Sequence, residues 1–120
     1  MVTVVDPTGT PTIVYTKSGS SIVELSGSGS IQSGATLIPA VTGKTVVKAL
    51  GSSGNTALIL SEDFEIGDVV EVHPAESTYG VQVFPQSGGN FSSLSSNQGI
   101  SMAIGGSKTL VKISSTEWLW

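Results

Sequence analysis

The sequence predicts an all-β domain, a compact antiparallel β-barrel or sandwich with an extended N-terminal arm, and three observations predict it. β-Branched and apolar residues come in short runs bounded by Gly, Ser, Pro or Asn, the usual punctuation of strands. Period-two alternation puts Val70 and Val72, Val81 and Val83, and Ile100, Met102 and Ile104 each on one face. Nowhere do apolar residues recur at three-four spacing for more than two turns, and Ser, Thr, Val and Gly are poor helix formers, so helix content is expected near zero.

The runs Val2 to Val5 and Thr12 to Thr16 read as strands of the arm. Ser18-Gly-Ser-Ser21 fits a hairpin turn ahead of the run Ser21 to Leu25. Ser26-Gly-Ser-Gly-Ser30 is low-complexity and reads as a flexible join between the arm, residues 1–26, and the body, residues 27–120. The segment before it is too short to be a domain. In the body, Thr36 to Val41, Thr45 to Leu50 and Thr56 to Leu60 are strands by the same criterion, followed by Ile66 to Pro74, Tyr79 to Pro85, Gly99 to Ile104 and Thr109 to Trp120. Pro85 to Gln98 is the longest stretch without strand patterning, and its isolated Phe91 and Leu94 pin such a loop to its own body or to a neighbour. Trp118 and Trp120 fall on one face of the final run, where terminal aromatics tie a chain end into a core or an interface.

Length and charge narrow the function. A chain of 120 residues builds one core. Charged residues are 12% of it, against roughly a quarter in a typical soluble domain, so its surface is hydroxyl-rich and suited to being covered. The net charge is −4, with five lysines and no arginine, which removes the planar fork that reads phosphate and guanine; no nucleic-acid partner is expected. No run of about 18 apolar residues and no basic-then-apolar N-terminus occur, so neither a membrane partner nor a signal peptide is expected. Without cysteine there are no disulfides, and synthesis in the cytoplasm follows as the expectation.

No set of residues points to catalysis or to a cofactor. His73 is the single histidine and ends a strand before Pro74, an ordinary place for a solvent-facing imidazole. Glu62, Asp63, Glu65, Asp68, Glu71 and Glu76 are dense enough in oxygen ligands for Ca²⁺, but their spacing is not that of an EF-hand loop, and Asp63 to Asp68 reads as a turn into the next strand. Gly43-Lys44-Thr45 ends like a phosphate loop, yet position 38 is Ile38 where that loop needs glycine, and a strand-like run follows. Asn90-Phe-Ser92 is a glycosylation sequon by pattern alone. Neither metal, cofactor nor enzymatic activity is therefore expected.

The order Gly67-Asp-Val-Val-Glu-Val72, Val81-Gln-Val-Phe-Pro-Gln-Ser-Gly-Gly89, a Ser/Asn loop, Ile100-x-Met-x-Ile-Gly-Gly106 and Leu110-Val-Lys-Ile-Ser-Ser-Thr-Glu-Trp118 resembles the tail-end pattern of small virion proteins of tailed bacteriophages, mostly of capsid-decoration type. The resemblance covers about residues 66–118. It implies a β-barrel or sandwich unit seated on the outside of an assembled capsid, commonly a homotrimer, with the major capsid protein as partner and no active site. On that reading the arm adds a strand to a neighbouring sheet edge. The interface candidates are Val4, Ile13 and Tyr15 on the arm, and Phe91, Leu94, Trp118 and Trp120 on the body. Weak single contacts then sum to avidity on the lattice. The alternative reading is a glycan- or receptor-binding module of a tail fibre, using the loop from Pro85 to Gln98 and an aromatic platform.

Overall fold

The computed structural model describes residues 12–17, 19–41, 43–75 and 78–120; of residues 12–17 it describes the backbone. The described residues contain eleven strands and no helix: β1 (Thr12–Lys17), β2 (Ser20–Ser26), β3 (Thr36–Ile38), β4 (Lys44–Leu50), β5 (Ala57–Leu60), β6 (Val69–Pro74), β7 (Val81–Phe84), β8 (Asn90–Phe91), β9 (Ile100–Met102), β10 (Lys108–Lys112) and β11 (Glu117–Leu119). They form a seven-stranded sheet in the order β1-β2-β4-β6-β10-β11-β8 and a four-stranded sheet in the order β3-β5-β7-β9.

The all-β expectation holds, but the chain is not the antiparallel barrel or sandwich that alternation suggests. From β2 to β7 it passes from one sheet to the other at every strand, so that β2, β4 and β6 pair in parallel in the long sheet and β3, β5 and β7 pair in parallel in the short one. The result is a solenoid-like coil. Antiparallel pairs lie toward its ends, β1 on β2, β10 on β6, β11 on β10, and β9 on β7. Period-two alternation is the same for both pairings, and parallel strands need a crossover that the second sheet here supplies.

Stacking in register makes each inward position a row. Val23, Val47 and Val72 form one, and Ser21, Thr45, Val70 and Leu110 another. Leu58, Val83 and Ile100 form a row on the short sheet, and all the apolar members of these rows belong to one buried core. The Thr45 hydroxyl sits in this core without a hydrogen-bond partner among the described residues. An unpartnered buried hydroxyl costs about 1 to 3 kcal/mol, so the near-isosteric Thr45→Val is expected to raise stability by about 1 kcal/mol in urea unfolding. A loss of stability would show that the hydroxyl is bonded.

Two kinds of corner close the coil. Gly19, Gly43 and Gly67 precede β2, β4 and β6 with φ of 73°, 87° and 97°, a conformation that glycine adopts without strain. At the opposite corner Gly27, Gly51 and Gly80 lie where backbones meet: a side chain on Gly51 would run into the Gly80 carbonyl oxygen, and one on Gly80 into that of Met102. The stretch Ser26–Ser30, expected as a flexible join, is part of this corner. Gly27 N donates to Leu50 O (2.8 Å), Ser28 N to Ala57 O (3.0 Å) and Thr56 N to Gly29 O (2.8 Å).

The N-terminal segment divides accordingly. Residues 20–26, placed in the arm by the sequence reading, pair along their whole length with β4 and put Val23 and Leu25 in the core. The expected strand Val2 to Val5 lies outside the described residues, as does Val4.

Candidate functional site

The C-terminal third, where the interface candidates cluster, is built on β8, β10 and β11. The expected single run from Thr109 to Trp120 is split into β10 and β11 by a turn, closed by bonds from Ile113 N (3.0 Å) and Ser114 N (3.3 Å) to Glu117 O. β8 arises inside the stretch expected to be loop, because Asn90 and Phe91 pair in parallel with Glu117 and Trp118. Two residues are too few to show alternation in a sequence.

This register separates the two tryptophans. Trp118 is fully buried, meets Phe64 edge to face at 5.4 Å between ring centroids, and donates its indole N–H to Gln86 Oε1 (2.9 Å). Gln86, itself buried, donates through Nε2 to Ser115 O (3.2 Å), so one amide serves the indole and the turn ahead of β11. Trp120 lies beyond the end of β11 and is 44% exposed, so the expectation of one shared face gives way to one inward and one outward ring. Its N–H donates to Ser92 O (2.8 Å), and Lys108 Nζ lies 4.9 Å from the ring centroid. Phe91 stands 6.5 Å away at a tilt of 60°. With its N–H engaged and a cation over the ring, Trp120 is anchored to its own chain. Trp120→Ala removes one hydrogen bond and a cation–π contact and is expected to cost about 1 to 2 kcal/mol by urea unfolding; an unchanged midpoint would show that the ring contributes nothing to the body.

The other candidates have mixed placements. Phe91 is fully buried, and Leu94 is half-buried against the core. Their loop is held by Asn97, whose Oδ1 accepts from Gly88 N (2.7 Å) and from Gln32 Nε2 (3.1 Å). Ile13 and Tyr15 belong to β1 at the rim of the long sheet, paired with Val23 and Ile22 across a bulge.

The outer face of the long sheet carries what the sequence reading misses. Along one register row, Val69, Val111 and Leu119 stand side by side pointing outward, with Leu119 half exposed. Exposed Ile66 and Ile113 flank it, next to the bond from Gly67 N to Lys112 O (2.8 Å). The inward neighbour Lys112 is buried and donates Nζ to Phe64 O (2.6 Å) and Glu62 O (3.3 Å), which fastens this corner under the apolar patch. Nothing marks the row in a linear reading, because its members sit about forty and eight residues apart and meet only by pairing.

Farther along the same face the surface turns ionic. Glu24 pairs with Lys48 (3.2 Å), and Glu71 with Lys44 (2.9 Å) and His73 (2.5 Å). The Lys44 ammonium, and after it the His73 ring, hydrogen-bond the Glu71 carboxylate and hold it below its ordinary value, against a smaller opposing effect of burial. A depressed carboxylate contributes stability above its unfolded-state value and loses it as the pH falls through the folded one. Because these groups are solvent-accessible, the contribution is below about 1 kcal/mol. Glu71→Gln is accordingly expected to cost that much at neutral pH and nothing in strong acid, measured by urea unfolding at both; an equal cost at both would assign the effect to something other than charge.

The acidic stretch before β6 is occupied by turn chemistry. Asp68 accepts from Glu65 N (2.8 Å) through one oxygen and from Gly43 N (3.4 Å) through the other, and Ser61 Oγ accepts from Asp63 N (3.1 Å). Among the described residues no group of His, Cys, Asp and Glu has the geometry to hold a metal ion, and no helix is long and apolar enough to cross a membrane. The described residues line shallow depressions of about 190 Å³ beside Asp63, Glu65 and Asp68 and of about 300 Å³ beside Leu37, Ile59 and Gln86. The chain matches no protein-family description, no curated protein and no solved structure.

Proposed function

We propose that the protein is a non-enzymatic structural component of a phage virion that coats and cements the outside of the capsid as a homotrimer, with the major capsid protein as its partner. One observation carries the adhesive part of this reading: the apolar patch of exposed Ile66, Ile113 and Leu119 with the half-buried Val69 and Val111 between them, on a sheet whose core beneath it is closed. An apolar patch presented by backbone-paired strands loses little conformational entropy on being covered, which suits a surface made for contact. Repetition around a three-fold axis gives each trimer three such patches, and a lattice of trimers multiplies weak contacts into durable attachment. The phage assignment rests on the C-terminal strand pattern.

Light scattering and co-sedimentation with capsid shells test the proposal together. The expected result is a trimer that pellets with shells, and a Leu119→Asp/Val111→Lys variant that keeps its fold yet loses either the trimer or the pelleting. A monomer that stays in the supernatant, or a variant with both properties intact, would overturn it. A monomer that binds a host glycan and loses it in Trp120→Ala would replace it with the tail-module reading.

A further inference from the structure

The outer face of the short sheet carries no charged side chain among the described residues. Its strands β3, β5, β7 and β9 alternate between core residues and outward positions, and the outward ones are Leu37, Ala57, Ile59, Gln82, Phe84 and Ser101. Leu37, Ile59 and Phe84 stand side by side in one register row, as Gln82 and Ser101 do in the next. Leu37 is 51% exposed and Ile59 half-buried, while the Phe84 ring lies across Gly99, where a Cβ would come within 2.6 Å of it, so the row ends flat. Toward Leu37 the row opens into the depression of about 300 Å³, lined by Leu37, Ile59 and Leu60 and by the acidic Glu62 and Asp63. The long sheet differs: its outer face holds the ion pairs of Glu24, Lys44, Lys48, Glu71 and His73.

The charge of the chain selects the partner for such a face. Two copies each carry a net charge of −4 and repel one another. Contact through the turn from Glu62 to Asp68 would add like charges to that repulsion, and contact through the ionic part of the long sheet would strip water from its ion pairs. The outward row of the short sheet brings no charge into contact, and the centres of protein interfaces are depleted of charged residues in the same way. A half-exposed leucine beside a depression of this volume also supplies both parts of a self-complementary contact, a side chain to insert and a space to receive it.

We propose that the outer face of the short sheet is the contact between copies of this chain, with Leu37 and Ile59 of one copy packing on the same face of the next. The inference rests on the reading of a coat built from like copies, and it divides that coat's contacts between the two sheets. The short sheet meets the neighbouring copy, and the patch around Leu119, on the opposite side of the shared core, is left for the shell. Turned toward a three-fold axis, this face of each copy meets both neighbours.

Light scattering of the free full-length protein over a range of concentrations tests this without any capsid. The expected result is an assembly whose midpoint concentration falls as salt rises from about 50 mM to about 500 mM, because salt screens the repulsion between copies, Glu62 and Asp63 included, and leaves an apolar contact in place. Leu37→Glu and Leu37→Lys, with urea midpoints near the parent's, are each expected to raise that concentration at least about tenfold, and mixing the two is expected to restore assembly, since opposite charges then meet across the contact. Leu119→Asp/Val111→Lys is expected to assemble like the parent. A parent that is monomeric at every concentration and salt, Leu37 variants that assemble like the parent, a mixture no better than either variant, or assembly lost in Leu119→Asp/Val111→Lys would overturn the inference. Assembly that weakens as salt rises would overturn it whatever the variants do. Co-sedimentation with capsid shells is scored apart: a parent that assembles as expected yet never pellets keeps this contact and removes the capsid reading.

Discussion

Trp118→Ala is expected to abolish cooperative folding. The indole is fully buried, packs on Phe64, and is the hydrogen-bond partner of the buried Gln86 side chain. Emptying such a site costs about 3 to 5 kcal/mol for the cavity, and an orphaned amide adds about 1 to 3 kcal/mol. Against a total of about 5 to 15 kcal/mol for a domain of ordinary stability, little remains. Trp118→Phe refills most of the volume and leaves only the amide unpaired, so it is expected to fold with a lowered midpoint. Urea unfolding followed by circular dichroism separates the two. An alanine variant with a sharp transition close to the parent's would mean that the β8–β11 end is not coupled to the coil.

Gly80→Ala is the second large effect, and its cause is different. Nothing is removed; a methyl group is driven into the Met102 carbonyl oxygen, a backbone atom that cannot rotate away. Relief requires β7 and β9 to separate, which breaks the antiparallel ladder Val81–Met102 and Val83–Ile100 that ends the short sheet. Overpacking of this kind costs about 1 to 3 kcal/mol when side chains can yield and more when they cannot, so a loss of about 3 kcal/mol is expected. Gly51→Ala meets Gly80 O in the same stack and should behave alike, and the two should not be additive because they share neighbours. Gly54 provides the contrast: open space surrounds it and its φ is 73°, so Gly54→Asn, a residue tolerant of that conformation, should fold near parental stability. Equal stability of Gly80→Ala and the parent would contradict the close packing of this corner.

Strand positions were legible because burial alternates: Thr45–Leu50 is β4 almost to the residue, and Val70/Val72 and Ile100/Met102 face the core as their spacing indicates, whereas Ile104, grouped with the last pair by the same spacing, lies beyond the end of β9 and is exposed. Pairing was not, since alternation is blind to strand direction. The signal that carries it is a recurrence: Gly19, Gly43 and Gly67 stand every 24 residues, and Val23 and Val47 keep the same step, with Val72 one residue beyond. Such a repeat is the mark of a coil whose turns stack. Composition misdirects at Ser26–Ser30, where the glycines answer to geometry and not to mobility: a Cβ on Gly27 would lie 2.6 Å from the Thr56 carbonyl carbon, and Gly29 has a φ of 65°. Of the candidate site, the burial of Phe91 and Trp118 was legible as aromatics tying a loop and a chain end to the body, whereas the exposure of Trp120 and the row Val69–Val111–Leu119 follow only from the β8–β11 and β6–β10–β11 registers.

The number of copies in purified phage particles, counted by quantitative mass spectrometry against the major capsid protein, tests the capsid assignment most directly. A coat predicts a fixed ratio in step with the shell, in whole trimers per lattice unit, falling together with particle stability when Leu119→Asp/Val111→Lys replaces the parent. A count matching the few copies of a tail component, or absence from the particle, would contradict it.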